Sequence, residues 1–207
     1  MQLPAGTRPL RSAREREAVA SPLRVEMLEH LQHAGTASVA ELARLMGRSP
    51  TLLHYHMKLL ATARLVRVTG RRAAGRRGES VYAVTAERFA VAGQPGDRVT
   101  LAAALRTLGA VLRLAQREAS RALLSGRVVP RGARRDLHAR RLRAPLSPEA
   151  RARLNRLLDE IEALFEAELK RRVREARRSP DSGLAAAEIA ALTFVLAPAA
   201  RPEKEKP

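Results

Sequence analysis

The chain has 207 residues, a formal net charge of +18 and a pI of about 11.7, a balance that favours a polyanionic partner such as nucleic acid. It contains no cysteine, which excludes disulfides, thiolate metal sites and thiol redox chemistry. Aromatic residues make up 2% of the chain, so proteins that stack single-stranded bases on exposed rings are a poor match, and double-stranded DNA fits better.

Two further features of composition bear on the partner and the compartment. The basic residues are almost all arginine, with lysine confined to Lys58, Lys170, Lys204 and Lys206, so part of the charge could reflect a GC-rich genome rather than DNA binding. The N-terminus lacks the apolar core of a signal peptide, and no apolar run approaches the length of a membrane span. A cytoplasmic protein with no membrane partner is expected.

Breaks in the pattern divide the chain into four parts. Residues 1–20 are polar and arginine-rich and predict a flexible tail, or a short helix at about 10–19. A Gly/Pro-rich break at 93–97 separates a module at residues 21–92 from a C-terminal domain at 97–198. Residues 199–207 are expected to be a disordered tail.

The module opens with two helices. Ser21 and Pro22 supply an N-cap and a first-turn proline, and apolar residues then recur at helical spacing until Gly35. Ser38 and Glu41 form a capping-box pattern at the start of a second helix, which ends at Gly47.

A third helix begins at Ser49 and Pro50. Leu53, Met57 and Leu60 are spaced to form its buried stripe. Polar residues fall on the opposite side, namely Thr51, His54, Tyr55 and Lys58. Two short helices joined by a glycine-containing turn form a helix-turn-helix.

A β-hairpin is predicted next. Residues 65–69 and 80–85 alternate as strands, and the loop between them, at 70–79, is rich in glycine and arginine. A hairpin directly behind a helix-turn-helix forms a wing, so the fold class is mainly α with a small β part (α+β).

The stretch from Ser21 to Thr85 resembles the ArsR-like winged-helix regulators. SPTLLHYHMKLLATARLVRV is similar to their recognition helix and first wing strand, and GRRGESVYAVT is similar to the returning strand. The resemblance implies a transcriptional regulator, and repression by analogy. Arg64 stands where family members commonly have glycine; a left-handed backbone there would cost about 1 kcal/mol. The best-known members sense metals through cysteines, which this chain lacks.

Histidines do not restore a metal site. His30 and His33 lie three residues apart on one helix, but zinc needs at least three protein ligands and no third is evident. His54 and His56 diverge on the third helix, and the resemblance implies that His56 packs beside Met57. No metal and no cofactor are therefore expected.

The DNA contacts follow from the predicted geometry. The third helix would present Thr51, His54 and Tyr55 to base edges in the major groove, with Ser49 and Lys58 at phosphates. The wing would reach the backbone or a narrow minor groove through Arg71, Arg72, Arg76 and Arg77. The alternative is that both surfaces are simply solvated.

The C-terminal domain is predicted to contain two long helices, at 98–125 and from Ser147 to about 178. The first has an apolar seam suited to pairing with a second copy, formed by Leu101, Leu105, Leu108, Leu112 and Ala115. Strands are expected at 137–144 and 188–197, giving a small α/β layer. The domain is interpreted as a homodimerisation unit that could also bind a small-molecule effector; the alternative is intramolecular packing of the helices.

The sequence also bears on two other classes of function. An enzyme is not expected, since the chain has no glycine-rich phosphate loop, nucleophile elbow or carboxylate pair with a histidine base. A nucleoid-associated or other non-specific nucleic-acid-binding protein is the main alternative to a regulator.

Overall fold

The computed structural model describes residues 6–73, 78–94, 96–178 and 190–197. The described part of the chain is 55% helical and 13% strand, which agrees with an α+β class. In chain order its elements are β1 Thr7–Leu10, α1 Ala13–Val19, α2 Pro22–Ala34, β2 Ala37–Ser38, α3 Val39–Met46, α4 Pro50–Thr62, β3 Val66–Arg72, β4 Glu79–Val84, β5 Arg88–Val91, α5 Arg98–Leu124 and α6 Pro148–Arg178.

The helices α2 and α3 begin and end, and α4 begins, where the caps predict. Ser38 Oγ accepts a hydrogen bond from the Glu41 amide at 3.2 Å, and Glu41 Oε2 accepts one from the Ser38 amide at 2.8 Å, which completes the capping box. Gly47 closes α3 in the left-handed region, with φ at 60°. Ser49 precedes α4, but its side chain makes no capping hydrogen bond, unlike that of Ser38.

These helices and a small sheet share one core. The three strands pair in the antiparallel order β2-β4-β3, with a bulge between Val68 and Gly70. Fully buried side chains from α2, α3 and α4 meet beneath the sheet; they include Met27, Leu31, Leu42, Leu53 and Leu60. The predicted helices and hairpin at residues 21–85 are therefore found.

The described part of the N-terminal segment begins at Gly6. The short helix predicted at 10–19 is found as α1, but β1 stands where a flexible tail was expected, and it pairs in parallel with β5 from Thr7↔Arg88 to Leu10↔Val91. Leu10 is buried in the core. Four-residue strands give too short a pattern to be recognised by alternation, which is why both were missed. Residues 1–5 lie outside the described part.

A buried arginine fastens α1 to α2. The Arg24 guanidinium donates to the carbonyls of Ala18 at 2.6 Å and Glu17 at 2.7 Å, near the C-terminal end of α1. Removal of Arg24 would leave those carbonyls without their charged donor, so the side chain stabilises the packing of the N-terminal segment.

The C-terminal half packs against the module through α5. Asp97 caps this helix by accepting hydrogen bonds from the amides of Val99 and Thr100. Small residues of α5 lie against α1 and α2, and Glu26 of α2, which is buried, pairs with Arg117 at 3.0 Å and with Arg121 at 3.8 Å. α6 also contacts α2.

The predicted α/β layer is wrong for the described residues. Residues 137–144 have no regular structure, and neither do residues 190–197; residues 188 and 189 lie outside the described part. An isolated apolar run becomes a strand only when a neighbouring strand satisfies its backbone, and no described strand lies in this half of the chain. The half consists of two long helices and irregular segments.

One helix within the described ranges, α5, is long and apolar enough to cross a membrane, with a mean hydropathy of 1.2 over an 18-residue window. By length and composition this overturns the expectation that no such run exists. Core helices meet the same criterion, and in this structure Ala103, Ala110 and Leu114 of α5 are buried against the rest of the protein.

Arg64 provides a test of backbone strain. Its φ is 56°, a left-handed conformation that an L side chain resists. We expect Arg64→Gly to raise the free energy of unfolding by about 1 kcal/mol relative to Arg64→Ala, since both variants lose the same exposed side chain and differ only in Cβ. Urea denaturation measures the difference. Equal stability of the two variants would show that no strain is stored at this residue.

Glu15 provides a test of the N-terminal segment. The pKa of Glu15 is lowered from 4.5 to about 2. The largest cause is the hydrogen bond that its carboxylate accepts from the Ser12 amide, and hydrogen bonds from Arg11 and Arg8 lower it further. Because this pKa falls on folding, the stabilisation is present above pH 4.5 and is lost as the pH drops towards 2.

We therefore expect Glu15→Gln to lower the free energy of unfolding by about 1–2 kcal/mol at pH 7, and the difference from wild type to vanish near pH 2. Urea denaturation from pH 7 to pH 2 measures it. Asp159→Asn, on the exposed surface of α6, is the control. A pH-independent difference would rule out the ionised form of Glu15 as the source of the stabilisation.

Candidate nucleic-acid interface

Helix α4 has one buried face and one exposed face. Leu53, Met57 and Leu60 are 0%, 1% and 0% exposed and pack against α2, α3 and β3. The side chains on the other face are exposed to solvent, as the helical spacing predicts; they are Ser49, Thr51, His54, Tyr55 and Lys58. Tyr55 is 62% exposed. The outer face is therefore available to a partner.

The two histidines of α4 have different surroundings. His54 is exposed, whereas His56 is half-buried, next to the core residue Met57. Burial and the nearby Arg24 lower the pKa of His56, so its ring is neutral at pH 7. It packs edge-on against the Tyr55 ring, with centroids 5.2 Å apart. His56 is thus a packing residue, as expected, and His54 is the histidine that a partner could reach.

The β3–β4 hairpin is attached to the start of α3 by two contacts. Arg72 pairs with the Glu41 carboxylate, and the Glu79 carboxylate accepts a hydrogen bond from the Ala40 amide at 3.0 Å. Glu41 itself belongs to the capping box of α3. The base of the hairpin therefore has a defined position relative to the helices.

The four predicted arginines of the hairpin are not equivalent. Arg71 is exposed, and its Nη2 lies 3.4 Å from the Gly78 carbonyl, across the hairpin. Arg72 is paired with Glu41, so it orients the hairpin in addition to any contact that it makes with a partner. Arg76 and Arg77 lie outside the described residues.

The whole stretch that carries these side chains lacks acidic residues. No Asp or Glu stands between Glu41 and Glu79. Four further basic residues of this stretch were not among the predicted contacts: Arg44, Arg64 and Arg67, which are exposed, and Arg48, which is half-buried. The length of the acid-free stretch was the signal that could have found them, because it extends beyond the helix and the hairpin loop. A continuous positive potential over this region follows.

The apolar seam of α5 is uncovered in the single chain. Four of its leucines are 40–60% exposed, namely Leu101, Leu105, Leu108 and Leu112, and Ala115 is half-buried. The opposite face of the same helix supplies the buried Ala103, Ala110 and Leu114. One face of α5 therefore packs against its own chain, and a second apolar face remains exposed.

Histidine and carboxylate positions give no metal centre in the ranges that the structure describes, where no group of three potential ligands is close enough to hold an ion. His30, on α2, has its pKa lowered by burial, with the neighbouring Glu26 opposing the shift.

One comparison with known proteins gives a match. The model of a protein family described as HVO_A0114 matches residues 19–81, from the end of α1 to within β4. No curated protein matches the chain. The match covers the helices and the hairpin that form the candidate interface and leaves α5 and α6 outside.

Proposed function

We propose that the protein is a sequence-specific, double-stranded DNA-binding transcriptional regulator, a repressor, that acts in the cytoplasm as a homodimer through a winged helix-turn-helix. The observation that supports this best is the division of α4 between a buried stripe and an exposed outer face. The fully buried stripe of Leu53, Met57 and Leu60 fixes the helix, while Thr51, His54 and Tyr55 project from it beside an anchored basic hairpin. A rigid helix with a free polar face is what major-groove recognition requires.

The contacts of α4 divide between bases and phosphates. In the major groove Thr51, His54 and Tyr55 would meet base edges, and Lys58 would meet a phosphate. The Ser49 side chain makes no capping hydrogen bond, which leaves the first amides of α4 open to a phosphate. The side chains and the helix N-terminus thus favour the same orientation on DNA.

The hairpin would act as the wing. Arg71, Arg76 and Arg77 would contact the backbone or enter a narrow minor groove, where the potential is most negative. The ion pair between Arg72 and Glu41 holds the wing at a fixed angle to α3 and α4. Repression is inferred from the resemblance to ArsR-like regulators.

A homodimer would place two copies of α4 on one face of the duplex. A twofold axis through the seam on α5 would bury four exposed leucines against their counterparts and match a pseudo-palindromic site. The exposure of this seam in the single chain favours dimerisation over purely intramolecular packing of α5.

A nucleoid-associated protein that binds DNA without sequence preference is the second candidate, and the net charge of +18 is the observation that favours it. Footprinting of genomic DNA with the purified protein distinguishes the two. A regulator should prefer its own sites over random sequence by at least about 10³-fold at physiological salt, whereas an architectural protein should not. Uniform coverage of the genome would exclude the regulator.

The wing makes a prediction about salt dependence. We expect the combined substitution of Arg71, Arg76 and Arg77 by alanine to weaken binding to all DNA sequences alike, because phosphate contacts are lost. The slope of log K against log salt should fall by up to about 2.7, which is about 0.9 for each lost contact.

Fluorescence anisotropy across a salt series measures this slope. The matched control replaces Arg151, Arg153 and Arg156 of α6, which are exposed and carry the same total charge. If both triple variants reduced the slope equally, net charge rather than the wing would account for the effect.

The seam makes a prediction about assembly. We expect Leu105→Glu to convert the dimer to a monomer, since it places a charge in an apolar interface, and to weaken binding to a full site by at least about tenfold. Leu124→Glu, at an exposed leucine of the same helix outside the seam, should leave the dimer intact. Sedimentation equilibrium gives the mass. A dimeric Leu105→Glu variant, or a monomeric wild type, would contradict the proposed interface.

A further inference from the structure

A partly open cavity of about 490 Å³ lies between the N-terminal module and the two long helices. Its walls are largely apolar and come from separate elements, with Leu28 on α2, Phe89 on β5, Val111 on α5 and Phe165 on α6. This volume is within the range of small-molecule sites, about 300–1,000 Å³. A protein surface would need a larger and flatter patch, so the shape of the cavity favours a small ligand.

The polar side chains of the cavity carry an excess of negative charge. Four glutamates and one arginine line it, the glutamates being Glu29, Glu87, Glu162 and Glu166. Arg88 pairs with both Glu162 and Glu166, and Lys170, just outside the lining, lies 3.9 Å from Glu87. The cavity is therefore acidic even when both cations are counted, in a chain whose formal net charge is +18.

Glu29 is the carboxylate left without a cation. Among the described residues it takes part in no ion pair, whereas Glu26, one turn earlier on α2, pairs with Arg117 and Arg121 of α5. Glu29 is exposed by surface area, but desolvation by the atoms packed around its carboxylate, followed by repulsion from Glu118 and Glu26, raises the pKa of Glu29 to about 7. A positive charge beside this carboxylate would relieve the repulsion.

We infer that this cavity binds an apolar organic cation, such as an aromatic or long-chain amine or a quaternary onium ion. The apolar body would pack between Phe89 and Phe165, whose ring faces also attract a cation, and the charge would lie at Glu29. An anion of the same shape would meet four carboxylates and is not expected to enter.

The inference about binding does not need the proposed function, whereas its regulatory consequence rests on that function. The cavity is bounded by α2, which supports α4, and by α6. A bound ligand would therefore favour one arrangement of these elements, and any difference in DNA affinity between arrangements would make the cation an effector.

The test uses the full-length protein without DNA, so its outcome is independent of the proposed function. Tetraphenylphosphonium is titrated by isothermal calorimetry, with tetraphenylborate as an anionic probe of the same shape. We expect saturable binding of one phosphonium per chain. The borate can associate with the basic surface, so it is compared by competition and should not displace the phosphonium. Absence of saturable phosphonium binding, or its displacement by the borate, would overturn the inference.

Two charge-matched variants locate the site. Glu29→Gln should weaken phosphonium binding by at least about tenfold, while Glu160→Gln, at an exposed carboxylate of α6 that does not line the cavity, should bind like wild type. Circular dichroism melting checks that both variants are folded, which we expect because neither residue takes part in an ion pair in the described structure. Equal affinities of the two variants would overturn the assignment. If the phosphonium binds as expected and footprinting is uniform, only the proposed function fails.

Discussion

The buried stripe on α4 is the constraint on which the rest of the structure depends. Leu53, Met57 and Leu60 fill the space between α2, α3 and β3, and their burial fixes the rotation of α4 about its axis. Since a helix places residues at i, i+4 and i+7 on one side, fixing that side also fixes which residues face outward. The geometry of the candidate interface is thus a consequence of core packing, and a loss of packing would disturb the exposed face without any change in the exposed residues.

The same core also organises what lies around it. The capping box on α3 contributes Glu41, which holds the β3–β4 hairpin through Arg72, so one glutamate both begins a helix and orients a hairpin. Buried Glu26 of α2 pairs with Arg117 and Arg121 and so holds α5 against α2. In each case a carboxylate near the helical core positions an element that lies outside that core. Glu26, which is the buried carboxylate of the two, must keep its arginine partners because an unpaired buried charge is costly.

The C-terminal helices leave more surface open than they cover. α5 gives one face to the module and exposes the leucines of the other, and α6 contributes only part of its apolar side to the cavity beside α2. A small ligand can cover a small apolar surface, whereas a second copy of the chain can cover a long seam. The two open surfaces therefore fit two different occupants. Both would act on α2, which is the element shared by the core, the cavity and the docking of α5.

The sequence by itself determined the elements whose signals are local. Caps at Ser38 and Gly47, the stripe on α4 and the glycines around the hairpin identified three helices and two strands, because each signal depends on residues within one or two turns. Tertiary structure alone decided the pairing of β1 with β5, the commitment of Arg72 to Glu41 and the irregular course of residues 137–144. These depend on partners distant in the chain, and a strand or an ion pair exists only where the folded backbone brings its partner within hydrogen-bonding distance.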